Sequence, residues 1–226
     1  MATVELKQKT IGADNGTKDQ ILNCAARLFR MQGYAAVNLR NIAKSIGMTT
    51  GSLYYHFSSK EQIVREILEQ GHQRVLVEVK KAVEMRGSEH SVESIRIGIL
   101  THITCLLGED SFPAANVRIF SHVPREIQMS TLEARHRYEI YWEHILRDCQ
   151  KQGVIRADLD PHVLALLLFG AMNWTLEWFN PGRHTIEAIA SDLTKLLLSG
   201  NITGQVPGAP EKAARKAAPK KKQHGA

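Results

Sequence analysis

Apolar residues recur at helical spacing along most of the chain, and no stretch shows the apolar–polar alternation of a β-strand. We therefore predict an all-α fold, with a small N-terminal domain over 17–59 and a larger helical body over 60–202. The polar ends, 1–16 and 203–226, are predicted to be disordered. The predicted helices cover residues 17–33, 39–46, 49–57, 60–85, 91–107, 113–122, 125–152, 162–179 and 185–198.

Two short helices joined by a tight glycine turn stand out between residues 38 and 60. Asn38 has the side chain of an N-cap, Gly47 can end the first helix in a left-handed conformation, and Thr49 can cap the second. Helix, tight turn and helix form a helix-turn-helix, with the helix at 17–33 packed across it as a hydrophobic lid. A plain helical hairpin with a polar outer face is the alternative.

The second helix of this pair carries small and hydrogen-bonding side chains, which suits close approach to DNA. Its tyrosines and Lys60 are expected mostly on phosphates, and Thr50, Gly51 and Ser52 nearest the base edges. The predicted DNA contacts are Arg40, Thr49, Thr50, Gly51, Ser52, Tyr54, Tyr55, His56 and Lys60.

The run LRNIAKSIGMTTGSLYYHFSSKEQIV resembles the DNA-binding signature of TetR-type transcriptional repressors, with G-x-LYYHF-x-x-K intact. The match is strong from Thr17 to about Leu68, and beyond that only the helical architecture agrees. Val37 departs from the family, which often has a hydroxyl residue there that touches phosphate. The resemblance implies a homodimeric repressor of operator DNA that responds to a small ligand.

The net charge of +6 is concentrated at the two ends of the chain. Residues 1–60 hold eight Lys or Arg against three Asp or Glu, and residues 203–226 hold six against one. The stretch between them holds fifteen against nineteen. This distribution indicates that nucleic acid is contacted by the ends. The tail over 203–226 is either a non-specific DNA tether or a solubilising extension.

The predicted helix at 162–179 is apolar on nearly every face, which a surface helix of a monomer is not. A second protomer is the simplest cover for the extra face. Together with the helix at 185–198 it would form a four-helix interface of two-fold symmetry, which is also how TetR-type repressors dimerise. The extra face could instead line an internal cavity, and the two interpretations are compatible.

Trp174 and Trp178 lie four residues apart, as packing aromatics do and as the walls of a ligand pocket also would. Their stretch, FGAMNWTLEWFNPG, resembles TetR-type regulators of fatty-acid, branched-chain and steroid-ring catabolism that answer to acyl-coenzyme A (acyl-CoA) thioesters. The resemblance implies an acyl group between helices and CoA phosphates on one or more of four arginines, Arg118, Arg125, Arg137 and Arg183. A bare hydrophobic molecule is the alternative ligand. The candidate effector contacts are Arg118, Phe120, Arg125, Tyr138, Trp142, Met172, Asn173, Trp174 and Trp178.

Two Glu-x-x-His pairs, Glu69 with His72 and Glu133 with His136, raise a rival interpretation as an all-α di-metal carboxylate enzyme. Such a site needs two further inward glutamates, and the apolar helix at 162–179 offers only Glu177. HExxH, GxSxG, GxGxxG and Walker motifs are missing from the sequence. We therefore expect a protein that is not an enzyme, without catalytic residues, metal or cofactor.

Three widely spaced cysteines, Cys24, Cys105 and Cys149, are odd in number and lack a CxxC pair, as reduced thiols of a cytoplasmic protein would be. The polar N-terminus shows no signal-peptide core, and no apolar run approaches the roughly 20 residues of a membrane span. The sequence thus predicts a cytoplasmic protein without a membrane partner.

Overall fold

The computed structural model describes residues 2–87 and 90–199, with residues 2–15 described by their backbone alone. The described part is helical and contains no strand, which confirms the predicted all-α class. We call α1–α3 the head and α4–α10 the body. The helices are α1 (Ala2–Ala36), α2 (Leu39–Ser45), α3 (Thr50–His56), α4 (Lys60–Glu84), α5 (Val92–Leu107), α6 (Ser111–Ile119), α7 (Arg125–Ser130), α8 (Leu132–Lys151), α9 (Pro161–Trp178) and α10 (Ile186–Ser199), with a 3₁₀ turn at Phe120–His122.

The first helix begins at Ala2, whereas the sequence pattern predicted disorder up to residue 16 and a helix start at Thr17. Residues 2–16 contain no proline that would end a helix, and residues 5–9 are good helix formers, so the helix continues back past the predicted cap. Gly33 interrupts the helical backbone with φ 75° and ψ 177°, close to the predicted end. The predicted disordered basic tail, 203–226, lies outside the described residues.

The helix predicted over 125–152 is divided into α7 and α8 at Thr131. The Thr131 hydroxyl lies 3.2 Å from the carbonyl oxygen of Ile127 and 3.1 Å from that of Gln128, and it donates to this pair of carbonyls. A side chain that bonds its own preceding turn competes with helix propagation. The break between α7 and α8 therefore has a local cause, which the spacing of apolar residues cannot reveal.

One hydrophobic core joins the head to the body. It contains Phe29 of α1, Ile42 of α2 and Leu53 of α3, and it continues through α4 into α6, where Phe112 and Ile119 are buried. The sequence pattern predicted α1 as the lid of the helix-turn-helix, and Phe29 of α1 does share one core with α2 and α3. In addition, α6 packs along both α1 and α4, so the head shares its core with the body.

A second core lies within the body and is built by α4, α5, α8, α9 and α10. Its largest buried side chain is Trp142, which packs against the backbone of α5 at Gly98. A Cβ atom at Gly98 would lie 2.8 Å from Cη2 of the Trp142 ring, so glycine is required for this contact. This core forms the rear wall behind the cavity described below.

Gly71 lies where α4 and α6 approach most closely. A Cβ atom there would lie 2.8 Å from the Asn116 Cβ atom and 2.9 Å from the Phe112 carbonyl oxygen. The missing side chain at Gly71 therefore lets the two helices meet closely.

One face of α9 is uncovered in the single chain. Leu164, Ala165, Leu168 and Met172 are buried in the second core, which accounts for the inner face. On the outer face large apolar side chains are exposed, including Leu167 at 65% and Trp174 at 64%. Among the described residues no helix is both long and apolar enough to cross a bilayer.

Candidate DNA-binding head and effector cavity

The two short helices of the head are capped as the sequence predicts. The Asn38 side-chain oxygen accepts from the Asn41 amide at 2.9 Å, and the Thr49 hydroxyl oxygen accepts from the Ser52 amide at 3.1 Å. Gly47 adopts φ 68° between them, in the left-handed region that favours glycine. These three residues fix how α3 leaves α2.

The helix α3 buries one face and presents the other to solvent. Leu53 and the following Phe57 are in the first core, whereas Tyr54 is 53% exposed and Tyr55 is 83% exposed. An exposed tyrosine pair is costly unless a partner covers it, so the outer face of α3 suits a binding surface. Of the other predicted DNA contacts, Arg40, Thr49, Gly51 and Ser52 are exposed, and Thr50 and His56 are partly buried.

Lys60 differs from the other predicted DNA contacts because its ammonium faces the protein. It donates to the Tyr34 carbonyl oxygen and lies 3.8 Å from the centroid of the Tyr34 ring. Partial burial lowers the pKa of Lys60 below its usual value. In this conformation Lys60 ties the start of α4 to the end of α1, and its phosphate contact stays a prediction. Val37, the departure from the family pattern, is buried in the first core.

A cavity of about 170 Å³ lies in the body between α4, α5, α6, α8 and α9. Apolar and polar side chains line it in similar number, and the polar ones converge on the space. The apolar walls are Val75, Leu106, Pro113, Val117, Phe120 and Phe169. The polar groups are His72, His102, Asn116, Arg135, Tyr138, Glu139 and Asn173.

His102 is held on both ring nitrogens. Its Nδ1 lies 2.8 Å from the Tyr138 hydroxyl, and its Nε2 lies 3.1 Å from the Asn173 side-chain oxygen. Because an amide oxygen only accepts, Nε2 carries the hydrogen and the Tyr138 hydroxyl donates to Nδ1. Burial lowers the pKa of His102 to about 4 and raises the pKa of Tyr138 well above its ordinary value. Both side chains are therefore neutral near pH 7.

His72 is held from one side by α6. The Asn116 side-chain nitrogen lies 2.7 Å from the His72 Nδ1 atom and 2.7 Å from the Leu68 carbonyl oxygen. Burial lowers the pKa of His72 to about 4, so it too is neutral near pH 7. These bonds connect α4 to α6 at the wall of the cavity.

The two charged residues of the cavity neutralise each other. The Arg135 Nε atom donates to a Glu139 carboxylate oxygen at 2.7 Å, and the Arg135 guanidinium lies 5.3 Å from the centroid of the Phe120 ring. The opposite charges of these two side chains therefore leave the cavity wall without a net charge.

An outer groove of about 660 Å³ lies on the other side of the cavity wall. Val117 and Asn173 line both spaces, so the cavity and the groove are adjacent. The groove also contains Trp174 and the ion pair of Arg118 with Glu177, whose nearest atoms are 3.3 Å apart. It reaches the α1 segment around Tyr34, and thus lies between the head and the body.

The predicted effector contacts fall into three groups. Phe120, Tyr138 and Asn173 line the cavity, and Arg118 and Trp174 line the outer groove. Trp142 and Met172 are buried in the second core behind the cavity, where they pack rather than face a ligand. The third group lines neither space and lies at the surface: Arg125, which opens α7 after Pro124, Trp178 beside His184, and the two arginines Arg137 and Arg183.

Five polar residues of the cavity were not among the predicted contacts: His72, His102, Asn116, Arg135 and Glu139. His72 was a candidate residue in the sequence, but as a metal ligand paired with Glu69. The others stand at unremarkable positions on three helices, and no short spacing brings them to one place. Only the packing of those helices brings them together.

The geometry does not assemble the di-metal site of the rival interpretation. Glu69 is exposed, and the side chains of Glu133 and His136 are 87% and 64% exposed. Within residues 2–87 and 90–199, no three His, Cys, Asp or Glu side chains are placed to hold a metal ion. The three cysteines are free thiols, and burial raises the pKa of Cys105 and Cys149 to about 11.

Comparison with known families defines the class of the protein. Residues 21–67 match the family described as bacterial regulatory proteins, tetR family. Residues 88–201, half of the chain, match the family described as tetracyclin repressor-like, C-terminal domain. The chain belongs to the TetR family, and it is a DNA-binding transcriptional regulator and not an enzyme.

Individual relatives agree with this assignment. The chain is 27% identical over 188 residues to the transcriptional repressor KstR2 of Rhodococcus jostii (strain RHA1), covering 82% of this chain and 91% of the relative. The crystal structure of AibR in complex with isovaleryl coenzyme A and operator DNA superposes with a TM-score of 0.73 at 27% identity, over 80% of this chain and 97% of AibR. The regulator PfmR from Thermus thermophilus gives a TM-score of 0.68 at 29% identity, over 80% and 94%.

Proposed function

We propose that this protein is a homodimeric repressor that leaves its operator when a small acyl-CoA thioester enters the body. The observation that carries the proposal is the position of α6. One face of this helix lies in the core shared with the head, and the other lines the cavity. A ligand in the cavity therefore acts on an element that also supports the DNA-reading helices.

The two faces of α6 are set by the helical repeat. Phe112, Ala115 and Ile119 are buried against the head, while Asn116 and Val117 line the cavity. A close-packed interior shifts between discrete arrangements rather than deforming continuously, so movement of α6 is passed to α1 and α4. The size of the effect is limited by the difference in ligand affinity between the two arrangements.

A second connection runs through Arg30 of α1. Its guanidinium donates to the Gly108 carbonyl oxygen at 2.7 Å and to the Leu107 carbonyl oxygen at 3.5 Å, at the end of α5. The same helix carries His102 and Leu106 of the cavity wall. The head is thus tied to two helices that a ligand would contact.

The uncovered face of α9 supports the homodimer. Val163, Leu166, Leu167, Trp174 and Trp178 are exposed along it at helical spacing. A second copy offers the same face, and pairing about a two-fold axis would cover both. Two heads held in this way would meet half-sites roughly 34–36 Å apart, one turn of the duplex.

The adjacent cavity and groove support an acyl-CoA over a bare hydrophobic molecule. The cavity of about 170 Å³ suits a short acyl group, whereas pockets for drug-sized ligands have roughly 300–1,000 Å³. The larger groove would take the polar remainder, with Arg118 as a phosphate partner and the Trp174 ring as a stacking surface. The isovaleryl-CoA complex of AibR supports the same class of ligand. We place the protein in the cytoplasm, where such thioesters and operator DNA occur together.

Thermal unfolding with a panel of short acyl-CoAs, free CoA and the matching free acids tests the ligand class. A ligand that binds only the folded state raises the melting temperature with its concentration. We expect stabilisation by one or more short acyl-CoAs and a weaker effect of free CoA. Stabilisation by free acids alone would contradict recognition of the CoA moiety and favour the bare hydrophobic ligand.

A further inference from the structure

We propose that His72 is the hydrogen-bond donor for the carbonyl oxygen of the bound acyl group, so that the cavity selects a neutral acyl carbonyl. This inference rests on the proposed function, since it assigns a contact inside the effector cavity. It concerns one atom, Nε2 of the His72 ring, and follows from how the other polar groups of the cavity are engaged.

The neighbours of His72 determine which ring nitrogen carries the hydrogen. The Asn116 side-chain nitrogen has two hydrogens, and it lies 2.7 Å from both the Leu68 carbonyl oxygen and the His72 Nδ1 atom. A carbonyl oxygen only accepts, so this nitrogen is the donor end of the amide, and its second hydrogen points to Nδ1. The Leu68 carbonyl oxygen also lies 3.1 Å from Nδ1, but a hydrogen on Nδ1 would face the closer Asn116 donor. Nδ1 therefore accepts, and the neutral ring carries its hydrogen on Nε2.

The hydroxyl and ring donors elsewhere in the cavity are already engaged. Tyr138 donates its only hydroxyl hydrogen to His102, and His102 donates its own to Asn173. The Arg135 Nε atom donates to Glu139. His72 thus presents the neutral ring donor that this network does not use.

The charge balance of the cavity favours an uncharged partner for this donor. A buried carboxylate would need a cation, and the nearest guanidinium is held by Glu139. A thioester carbonyl accepts one hydrogen bond without bringing a charge into the cavity. It also leaves the acyl chain free to contact apolar residues such as Leu106 and Phe169.

Two ligands that differ only at the carbonyl test this assignment. Isovaleryl-CoA carries the thioester, and S-(3-methylbutyl)-CoA replaces the carbonyl with a methylene in a thioether of the same length. Binding of both is measured by calorimetry to the full-length protein and to two variants, His72→Gln and His72→Leu. The glutamine amide keeps a donor near the Nε2 position, whereas leucine fills a similar space without one.

For the unchanged protein we expect the thioester to bind about tenfold tighter than the thioether, the fold-change of one net hydrogen bond. The ratio should persist in His72→Gln and fall to about one in His72→Leu. Because each ratio is taken within one variant, any general loss of stability cancels. Equal binding of thioester and thioether by the unchanged protein would overturn the role of His72 while leaving an acyl-CoA repressor intact. A tenfold ratio that survives in His72→Leu would also overturn it, whereas failure of every acyl-CoA to bind would defeat the proposed function itself.

Discussion

The head and the body keep their hydrogen-bonding groups in opposite places. In the head, Tyr54, Tyr55 and Ser52 face solvent, and their only cover would be a partner. In the body, His102, Tyr138 and Asn173 are bonded to one another beside a small cavity. The difference shows what each region can bind. An exposed row of donors suits an extended, charged surface such as a duplex, and a paired network around a cavity suits a small molecule.

The two regions nevertheless share one packed core, and this makes their separate tasks dependent on each other. Phe112 and Ile119 of α6 are as deeply buried as Phe29 and Leu53 of the head. Changes made at the dimer face, at the reading surface, at the shared core and at the buried histidines should therefore have distinct consequences. They are given below from the largest expected effect to the smallest.

Replacing Leu167 by Glu should disrupt the dimer and with it operator binding. Leu167 is 65% exposed in the single chain, and in a two-fold interface both copies of the new carboxylate would be buried without a partner. The cost is about 3 kcal/mol or more, so the dimer should dissociate at over a hundredfold higher concentration. Sedimentation velocity measures the oligomeric state.

The matched control is Met85→Glu, which places the same charge at a side chain 78% exposed beyond the end of α4. It should leave the dimer unchanged. If Leu167→Glu also sediments as the unchanged protein does, α9 is not the dimer face.

Replacing Tyr55 by Phe should weaken operator binding without affecting the fold. The side chain is 83% exposed, so its hydroxyl is available to a phosphate, and a hydrogen bond to a charged group contributes roughly 1.5–3 kcal/mol. We expect the Kd for the operator to rise at least about tenfold at fixed salt, measured by fluorescence anisotropy.

Tyr141→Phe is the control on the body side. The Tyr141 hydroxyl is buried with no hydrogen-bond partner among the described residues, so its removal should not lower stability and should leave the operator Kd unchanged. An unchanged Kd in Tyr55→Phe would remove this tyrosine from the DNA interface.

Alanine at Gly71 should destabilise the shared core, whereas alanine at Gly51 should not. At Gly71 the added Cβ meets the Phe112 carbonyl oxygen at 2.9 Å, and overpacking of this kind costs about 1–3 kcal/mol. At Gly51 the nearest atom is 3.9 Å away, so alanine gains the helix preference of up to about 1 kcal/mol. Urea unfolding measures both. Equal stability of the two variants would show that α4 and α6 are not in close contact.

Acid should weaken the body through its buried histidines. His72 and His102 have folded-state pKa values of about 4, below the ordinary value of 6.5. Between these values the unfolded chain binds protons that the folded chain does not, so stability is complete above pH 6.5 and falls as the pH drops towards 4. Each histidine contributes a loss of about 1 kcal/mol per pH unit within that window.

Urea unfolding at pH 7 and pH 5 measures this loss, and the double variant His72→Gln, His102→Gln should show a shallower dependence. His162 works in the opposite direction, because its exposed ring beside Glu143 has a raised pKa. Its small contribution is present at low pH and is lost as the pH rises through that raised value. A slope that the double variant leaves unchanged would place the acid sensitivity elsewhere.

The head could be predicted residue by residue because its instructions are local. Asn38, Gly47 and Thr49 each act on the backbone within a few residues, so the capping residue and the helix end that it determines are close together in the sequence. The inward position of Lys60 could not be predicted in this way, since its partner Tyr34 lies on another helix. The helix start at Ala2 was not predicted either, because a cap signal at Thr17 does not exclude a longer helix.

The cavity could not be predicted in the same way, because five helices contribute to it. Asn116 and His72 are 44 positions apart, and His102 and Asn173 are 71 apart. Trp142 and Met172 had the composition of a pocket wall but face the second core, which depends on how each helix is rotated. Apolar periodicity indicates that a face is buried, and it does not indicate whether the neighbour is another helix or an empty space.

The most direct test of the account is operator release. Duplexes selected by the full-length protein from a random pool would give the operator, and anisotropy titrations with and without isovaleryl-CoA would give its Kd in both states. The account predicts a two-fold symmetric site bound by two chains, and a Kd about 5- to 150-fold higher with saturating ligand, as coupling of roughly 1–3 kcal/mol requires. Selection of no sequence, or a Kd unaffected by an acyl-CoA that does bind, would contradict it.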